Sequence, residues 1–283
     1  MLNQIIGQRV SITTHKAQTT RNCILGIRSE NNKQIVFVDT PGIHESVKLL
    51  SRKIVSYAIK TLNDTDLNLW IMEPILNSKS KQNQQSFLHN EDKKILKLLS
   101  GKEKRTVLVL NKIDRIGKDK LLSIISKYRN LGDFAEIVPI SALKATNVEY
   151  LVELIKKYLP AHPFYFEENQ FTDASERFLA GEYVREEIFI RLHQEIPYSV
   201  AVIVEKFQRT GRYTQVVCSI CVERESQKGI IIGEKGQMLK KVGIYARKKI
   251  ERLLGRKVHL VLNVKVLKKW SQNSKHLISL GYN

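Results

Sequence analysis

The chain has 283 residues, with 47 Lys+Arg against 28 Asp+Glu, a formal net charge of +19 and 42% hydrophobic residues. That length suggests two domains of roughly 100–200 residues each. The apolar content excludes wholesale disorder, no run of about 18 apolar residues is present to span a membrane as a helix, and the charge favours a polyanionic partner, either nucleic acid or an acidic membrane surface. Met1–Val10 has no basic start followed by an apolar stretch and does not read as a signal peptide.

Taken in chain order, Leu2, Ile5 and Ile6 mark one face of a short helix, and Gly7 suits its C-cap. Gln34–Val38 is a β-branched run ending in Asp39. Lys48–Leu62 has helical spacing, Leu67–Met72 reads as a strand, and Asn77–Asn90 is polar and expected to be a loop. Glu91–Leu99 is an amphipathic helix. Thr106–Leu110 is uninterrupted apolar sequence, as expected of a strand buried on both faces. Leu121–Leu131 is helical, Glu136–Ile140 a strand and Asn147–Tyr158 a helix. Strands alternating with helices predict an α/β domain with a mostly parallel sheet covered on both sides.

Pro160 and Pro163 break this pattern. They divide the chain into a first domain over 1–160, a linker over 161–170 and a second domain over 171–283. In the second domain Thr172–Gln194 reads as a long helix with Asp173 as its cap. Two strands follow, Ser199–Gln208 and Thr214–Glu223. Gly229–Leu254 is helical apart from a glycine interruption at 233–236, and the alternating strand Val258–Leu267 ends the domain. The order is α-β-β-α-α-β. Cys218 and Cys221 form a C-x-x-C, but on a strand residues three apart point to opposite faces, which argues against a shared metal. Three cysteines fit a reducing compartment rather than a disulfide scaffold.

Three short motifs follow strands. Asp39-Thr40-Pro41-Gly42 comes after Gln34–Val38, where a carboxylate at a strand's C-terminal end points into the ligand crevice of an open α/β sheet. There Asp39 can hold the water shell of Mg²⁺, and Gly42 lets a backbone N–H approach a phosphate. An ordinary β-turn also suits D-T-P-G. Asn111-Lys112-Ile113-Asp114 follows Thr106–Leu110. Asp114 can accept from both N1–H and the 2-amino group of guanine, a donor pair adenine lacks. The Lys112 stem can lie along the purine, and Asn111 can tie the loops together. Ser141-Ala142 follows Glu136–Ile140 and can place a backbone N–H on guanine O6. The ordered set resembles a Ras-like GTPase. Lys16-Ala17-Gln18-Thr19-Thr20-Arg21 lies where a switch loop belongs; either Thr19 or Thr20 can ligate Mg²⁺, and the sequence leaves open which.

Ile232-Gly233-Glu234-Lys235-Gly236 is a G-x-x-G between helical segments. Such a turn lets a sugar–phosphate backbone approach the protein main chain. Lys240 and Lys241 follow it, then Arg247, Lys248 and Lys249. From Ile231 onward there are 13 Lys+Arg against 2 Asp+Glu. Bases are expected beside the loop and the strand Val258–Leu267, with Lys235 nearest phosphate.

Ser11-Ile12-Thr13, the K-A-Q-T-T-R run, Val38–Gly42, Val138–Ala142, Ile196-Pro197-Tyr198-Ser199 and Leu280-Gly281-Tyr282 together resemble the Era family of GTPases along nearly the whole chain. The resemblance implies a Ras-like G domain followed by an α+β type II KH domain. It also implies GTP and Mg²⁺ as ligands and the small-subunit ribosomal RNA near its 3′ end as partner, with a role in maturation of the small ribosomal subunit. Ile113 and Ile43 fall within the nucleotide motifs. Ile43 takes the place where other GTPases keep a catalytic glutamine, so slow intrinsic hydrolysis is expected. A cytoplasmic monomer is expected, with peripheral contact at the inner face of the cell membrane as a weaker reading of the charge.

A GTPase of this class needs G-x-x-x-x-G-K-[ST] after its first strand, where backbone N–H groups and the lysine hold the phosphates. That motif does not occur in the 283 residues. The expectation is that the first strand and this loop lie upstream of Met1, through a start assigned too late or a gene that has lost its 5′ end. A rival expectation is a nucleotide-blind relic acting only through its RNA-binding half.

Overall fold

The structure is a computed structural model that describes residues 1–16, 19–43, 49–75 and 88–282, with main chain only at 49, 51–54 and 57. The first half contains α1 (Leu2–Ile6), β1 (Ile24–Glu30), β2 (Lys33–Asp39), α2 (Leu49–Asp64), β3 (Asn68–Met72), α3 (Asn90–Leu98), β4 (Thr106–Leu110), α4 (Lys118–Arg129), β5 (Glu136–Pro139) and α5 (Val148–Tyr158). The second contains α6 (Glu176–Arg191), β6 (Ala201–Arg209), β7 (Tyr213–Val222), α7 (Glu225–Ile232), α8 (Gln237–Leu254), β8 (Lys257–Val266) and α9 (Ser274–Ser279). The expected loop Asn77–Asn90 lies mostly outside the described residues, as do Ala17 and Gln18.

Every residue of β4 is buried, and β4 is the middle strand of a parallel sheet ordered β3-β4-β5. Alternate side chains of β4 serve two cores. Val107 and Val109 meet α1 and α5, while Leu108 and Leu110 meet Trp70, Ile124 and Tyr128. Each such buried side chain stabilises the fold by about 1.5–3 kcal/mol. α1 buries Leu2, Ile5 and Ile6 and ends at Gly7, which has φ +73°, as its spacing predicts.

The sequence reading omitted β1. It pairs antiparallel with β2, with Ile24 opposite Asp39 and Glu30 opposite Lys33. Asn31 and Asn32 both have positive φ, which is what a two-residue hairpin turn of matching twist requires. The outer edge of β1 is covered by the segment entering the second half. Ile27 N donates to Phe171 O at 2.9 Å, and Leu25 N donates to the Asp173 carboxylate at 2.9 Å. Asp173 is therefore not the cap of α6. Ser175 is, its hydroxyl accepting from Phe178 N, and α6 is shorter at both ends than the expected Thr172–Gln194.

The second sheet is ordered β6-β7-β8, antiparallel then parallel. One face packs on α6 and α8 through Val184, Ile188, Ile220, Val242, Ala246 and Ile250. The other packs on Trp270, Leu277, Leu280 and Tyr282. Cys218 lies in the first of these cores and Cys221 in the second, so the two thiols face opposite sides of β7. Burial pushes the Cys218 thiol up to about 12. The chain does not end its domain at β8: Trp270, whose indole N–H donates to Ser199 O, and α9 complete the second face.

The two halves meet along α6. Glu186 is fully buried; its carboxylate accepts from Arg9 at 2.5 Å, from Thr13 N at 2.8 Å and from Lys249 at 2.5 Å. Glu187 beside it pairs with Lys249 and Arg191. Arg21, also buried, donates to the carbonyls of Val200, Pro197 and Tyr198. Arg185 donates to Thr19 O at 2.6 Å. The described residues between Arg9 and Arg21 are thus fastened to the second half through the side chains of Arg9, Glu186, Arg21 and Arg185.

Removing one partner of a buried ion pair leaves an uncompensated charge and costs roughly 3–5 kcal/mol. We predict that Glu186→Ala lowers unfolding free energy by about 3 kcal/mol, at the low end because Arg9 keeps access to water. Urea unfolding checks this; a loss under about 1 kcal/mol, the level of a surface pair, would show that the cluster does not fasten the halves.

Candidate functional site

The loop after β4 is held by its neighbours before any ligand arrives. Asn111 N donates to Met72 O at 2.8 Å, and Ile113 N donates to Ile140 O at 3.1 Å. The Asn111 side-chain oxygen accepts from Lys112 N at 2.8 Å and from Ala142 N at 3.1 Å. The Ser141 hydroxyl donates to the Asp114 carboxylate at 2.5 Å, and Ser141 exchanges main-chain bonds with Thr146. The ends of β3, β4 and β5 are therefore one unit, and Asn111, Asp114, Ser141 and Ala142 converge as expected. The Ser141 hydroxyl holds the Asp114 carboxyl below its ordinary value, which keeps an ionised acceptor in place for paired N–H donors.

Lys112 has φ +66°, and its ammonium is held by Glu73. Glu73 also accepts from Arg115 at 2.9 Å, and its carboxyl lies below its ordinary value, chiefly through Lys112. Glu73, at the end of β3, was missed in the sequence because a lone acid after an apolar run carries no motif.

The other motif residues line a cavity of about 840 Å³ that runs between β2 and β3. Thr19, Thr20, Asp39, Thr40, Gly42 and Asn111 all contribute to its wall, as do Thr14 and Lys16. Asn111 is the residue shared with the loop after β4. Burial holds the Asp39 carboxyl above its ordinary value, partly offset by the Ser11 hydroxyl. A Cβ built at Gly42 meets no atom within 4 Å, so packing within the protein places no demand for glycine there. Pro41 is buried, Ile43 is half-buried, and the described residues stop at Ile43. The Thr19 hydroxyl is turned inward, bonded to the Thr14 hydroxyl at 2.5 Å and donating to Lys16 O at 2.8 Å.

In the second half, α7 ends at Gly233 and α8 begins after Gly236. Gly233, Lys235 and Gly236 all have positive φ, at 71°, 46° and 76°. A Cβ at Gly233 would lie 2.7 Å from Met238 Cβ, so a side chain there is excluded on contact as well as on conformation. Glu234 and Lys235 are exposed. Beside the loop, a groove of about 400 Å³ runs between α8 and β8, lined by Gly236, Leu239, Lys240, Gly243, Ile244, Arg247, Leu260 and Leu262. Its apolar floor was not singled out in the sequence; the signals were the four-residue spacing of Leu239 and Gly243 and the alternation of Leu260 and Leu262. Lys240 lines the groove. Lys241 does not, since one helical residue turns the side chain by about 100°.

The profile of a family described as "50S ribosome-binding GTPase" matches residues 1–112, and that of the KH domain matches residues 195–271. GTPase Era of Geotalea uraniireducens is 44% identical over 283 residues, all of this chain and 92% of that protein. GTPase Era of Syntrophus aciditrophicus is 44% identical over 285 residues, again all of this chain and 90% of that protein. Among solved structures, Era in complex with MgGDPNP and nucleotides 1506–1542 of 16S ribosomal RNA superposes with a TM-score of 0.91 at 36% identity, over 99% of this chain and 93% of that one. A variant of Aquifex aeolicus Era bound to GDP·AlF4⁻ gives 0.90 at 36% identity, over the same shares.

Ser141→Ala removes the hydroxyl that stabilises the Asp114 carboxylate. We expect the Asp114 midpoint, followed by carboxyl carbon NMR, to rise toward the ordinary value of about 3.9. A depressed midpoint that stays put in the variant would mean that Ser141 is not its cause.

Proposed function

This chain belongs to the Era family of GTPases, a Ras-like α/β G domain followed by a KH domain, and we propose that it is a GTP-binding, GTP-hydrolysing switch that binds small-subunit ribosomal RNA near its 3′ end and assists assembly of the small subunit. We also propose that it works as a cytoplasmic monomer, with the division into 1–160, 161–170 and 171–283 as its functional one. The observation that carries the nucleotide reading is the linked set Asn111, Asp114, Ser141 and Ala142, joined through Asn111 to the cavity that Asp39 lines. The solved relative that holds MgGDPNP with 16S RNA supports both ligands.

Asp114 would accept from N1–H and the 2-amino group of guanine, and Ala142 N would face O6. Asn111 holds the loops in register, and Lys112 would lie along the purine once released from Glu73. Asp39 suits a divalent cation: it is an acid on the cavity wall whose carboxyl burial raises, and among the described residues no lysine or arginine offsets this. Asp39 and a hydroxyl of Thr19 or Thr20 would hold Mg²⁺, which supplies counter-charge to phosphate oxygens. In this conformation the Thr19 hydroxyl is committed to Thr14 and Lys16, which favours Thr20. Ile43 has no group to orient a water, so hydrolysis by this site is slow. In the KH half, Gly233, Glu234, Lys235 and Gly236 would meet the RNA backbone, while Lys240 faces bases in the groove beside β8.

Two experiments test the reading. The segment from Phe171 onward is expected to bind single-stranded RNA from the small-subunit 3′ region, with a log–log salt slope of roughly −0.7 per neutralised phosphate. Gly236→Asp should weaken that binding strongly in fluorescence anisotropy, because it sets a carboxylate where a phosphate approaches; equal binding by the variant would remove the loop from the interface. For the nucleotide, the probe is a form of the protein with a β-strand and a G-x-x-x-x-G-K-S loop joined ahead of Met1. GTP·Mg²⁺ should raise its melting temperature by mass action. In that form Asp114→Asn should shift preference toward xanthine nucleotides. An absent thermal shift would leave an RNA-binding module alone.

A further inference from the structure

α8 presents two faces on either side of its buried stripe. Val242, Ala246 and Ile250 are fully buried and define the middle. On one side Lys240, Gly243, Ile244 and Arg247 line the groove beside β8. On the other, Lys241, Tyr245, Lys248 and Arg252 are all exposed. They recur at four, seven and eleven residues, so they form one line about 16 Å long.

Tyr245 is the unusual member of that line. Its ring is 49% exposed, yet it is not loose. The Arg191 guanidinium carbon sits 4.1 Å from the ring centroid, and the Lys248 ammonium nitrogen is 5.8 Å from it. Arg191 is itself held from below by Glu187, so one ring face rests on an anchored cation from α6. Acids on α6 and α8 beside it are already engaged. Glu186 and Glu187 are buried against Arg9, Lys249 and Arg191, and the carboxylate of Glu251 accepts from Val258 N on the β8 side. What remains at the surface is a fixed aromatic ring in a row of cations.

A ring held in place among cations is the arrangement on which an unpaired base stacks while its phosphates are neutralised. The line begins one turn past Gly236, so a strand held at the Gly233–Gly236 loop reaches it by crossing the N-terminal end of α8. We propose that this flank is a second, distinct contact for single-stranded RNA, with Tyr245 stacking a base and Lys248, Arg252 and Lys241 meeting phosphates, engaged only by RNA longer than the loop and groove can hold. The proposal rests on the RNA-binding reading above and adds the surface that extends it.

The test compares two labelled RNAs that share the small-subunit 3′-terminal sequence. One has about four nucleotides, the length a G-x-x-G loop clamps, and the other is about three times as long. The full chain and its Tyr245→Ala, Tyr245→Phe and Arg252→Gln variants are titrated by fluorescence anisotropy across a salt series, with thermal melting as a check of folding. Tyr245→Ala should weaken the long RNA roughly ten-fold and leave the short one unchanged. Tyr245→Phe keeps the ring and should retain affinity for both. Arg252→Gln should flatten the salt slope for the long RNA by roughly 0.7. Long-RNA affinity untouched by both Tyr245→Ala and Arg252→Gln overturns the proposal, and so does equal loss for the two RNAs, which would place the effect in the groove or the fold. Loss of flotation with anionic phospholipid vesicles, with long-RNA binding intact, would assign the flank to a membrane instead. Failure of the unmodified chain to bind either RNA would fail the RNA-binding reading itself.

Discussion

Two adjacent carboxylates, Glu186 and Glu187, are buried in the middle of the chain, and the relation between the two halves depends on how they are satisfied. Burying an ionised carboxylate costs several kcal/mol even after relaxation, and only close partners with good geometry offset it. Here the partners come from three separate elements: Arg9 and Thr13 N from the segment after α1, Lys249 from α8, and Arg191 from the end of α6. None of the three can shift alone without stranding a charge. The cluster therefore sets where the segment carrying Thr19 and Thr20 lies relative to the helix that forms one wall of the groove beside β8.

The rest of that segment follows from this anchor. Arg185, next to Glu186, and Arg21, eight residues past Thr13, also hold main-chain carbonyls, and Arg185 pairs with Glu182 as well. Carbonyls have fixed positions, so through these bonds both arginines fix backbone. On the opposite face of the second sheet, Leu50 of α2 packs with Trp270, Leu277 and Tyr282. Both stretches that flank the cavity between β2 and β3 thus lean on the second half of the molecule. The loop after β4 does not. It is built from main-chain bonds among the ends of β3, β4 and β5, inside a sheet that has its own two cores.

That difference also explains what was legible in the sequence. A five-residue apolar run with a motif directly after it can only be a central strand with a loop at its end, so β4 and Asn111–Asp114 were readable together. The hairpin was not. β1 contains Gly26, Ser29 and Glu30, and its turn is Asn-Asn rather than the stronger Asn-Gly, so local signals were weak while pairing with β2 decided the outcome. Asp173 and Ser175 are both acceptable caps by type; tertiary demand from Leu25 N took the carboxylate and left the hydroxyl for the helix. Trp270 and Tyr282 close a core whose other half lies some seventy residues earlier at Ser199 and Ala201, a distance no periodicity covers. Nothing in the sequence singles out Glu186 and Glu187, because burial of a charge depends on partners that sequence spacing does not display.

The loop at 233–236 shows how far conformation alone goes toward function. Its two glycines are required for different reasons. Gly233 has no room for a side chain against Met238, whereas Gly236 has open space around it and is constrained only by its left-handed backbone. Lys235 between them is also left-handed while carrying a full side chain, a conformation that costs of order 1 kcal/mol or more for such a residue. The N–H groups of Gly233 and Gly236 donate to Gly229 O and Gly233 O, so the positive φ at three of the four positions shapes the turn without freeing those donors. Packing explains Gly233 but neither the strain at Lys235 nor the open surface at Gly236. Those two features leave the main chain of the turn open to approach from outside.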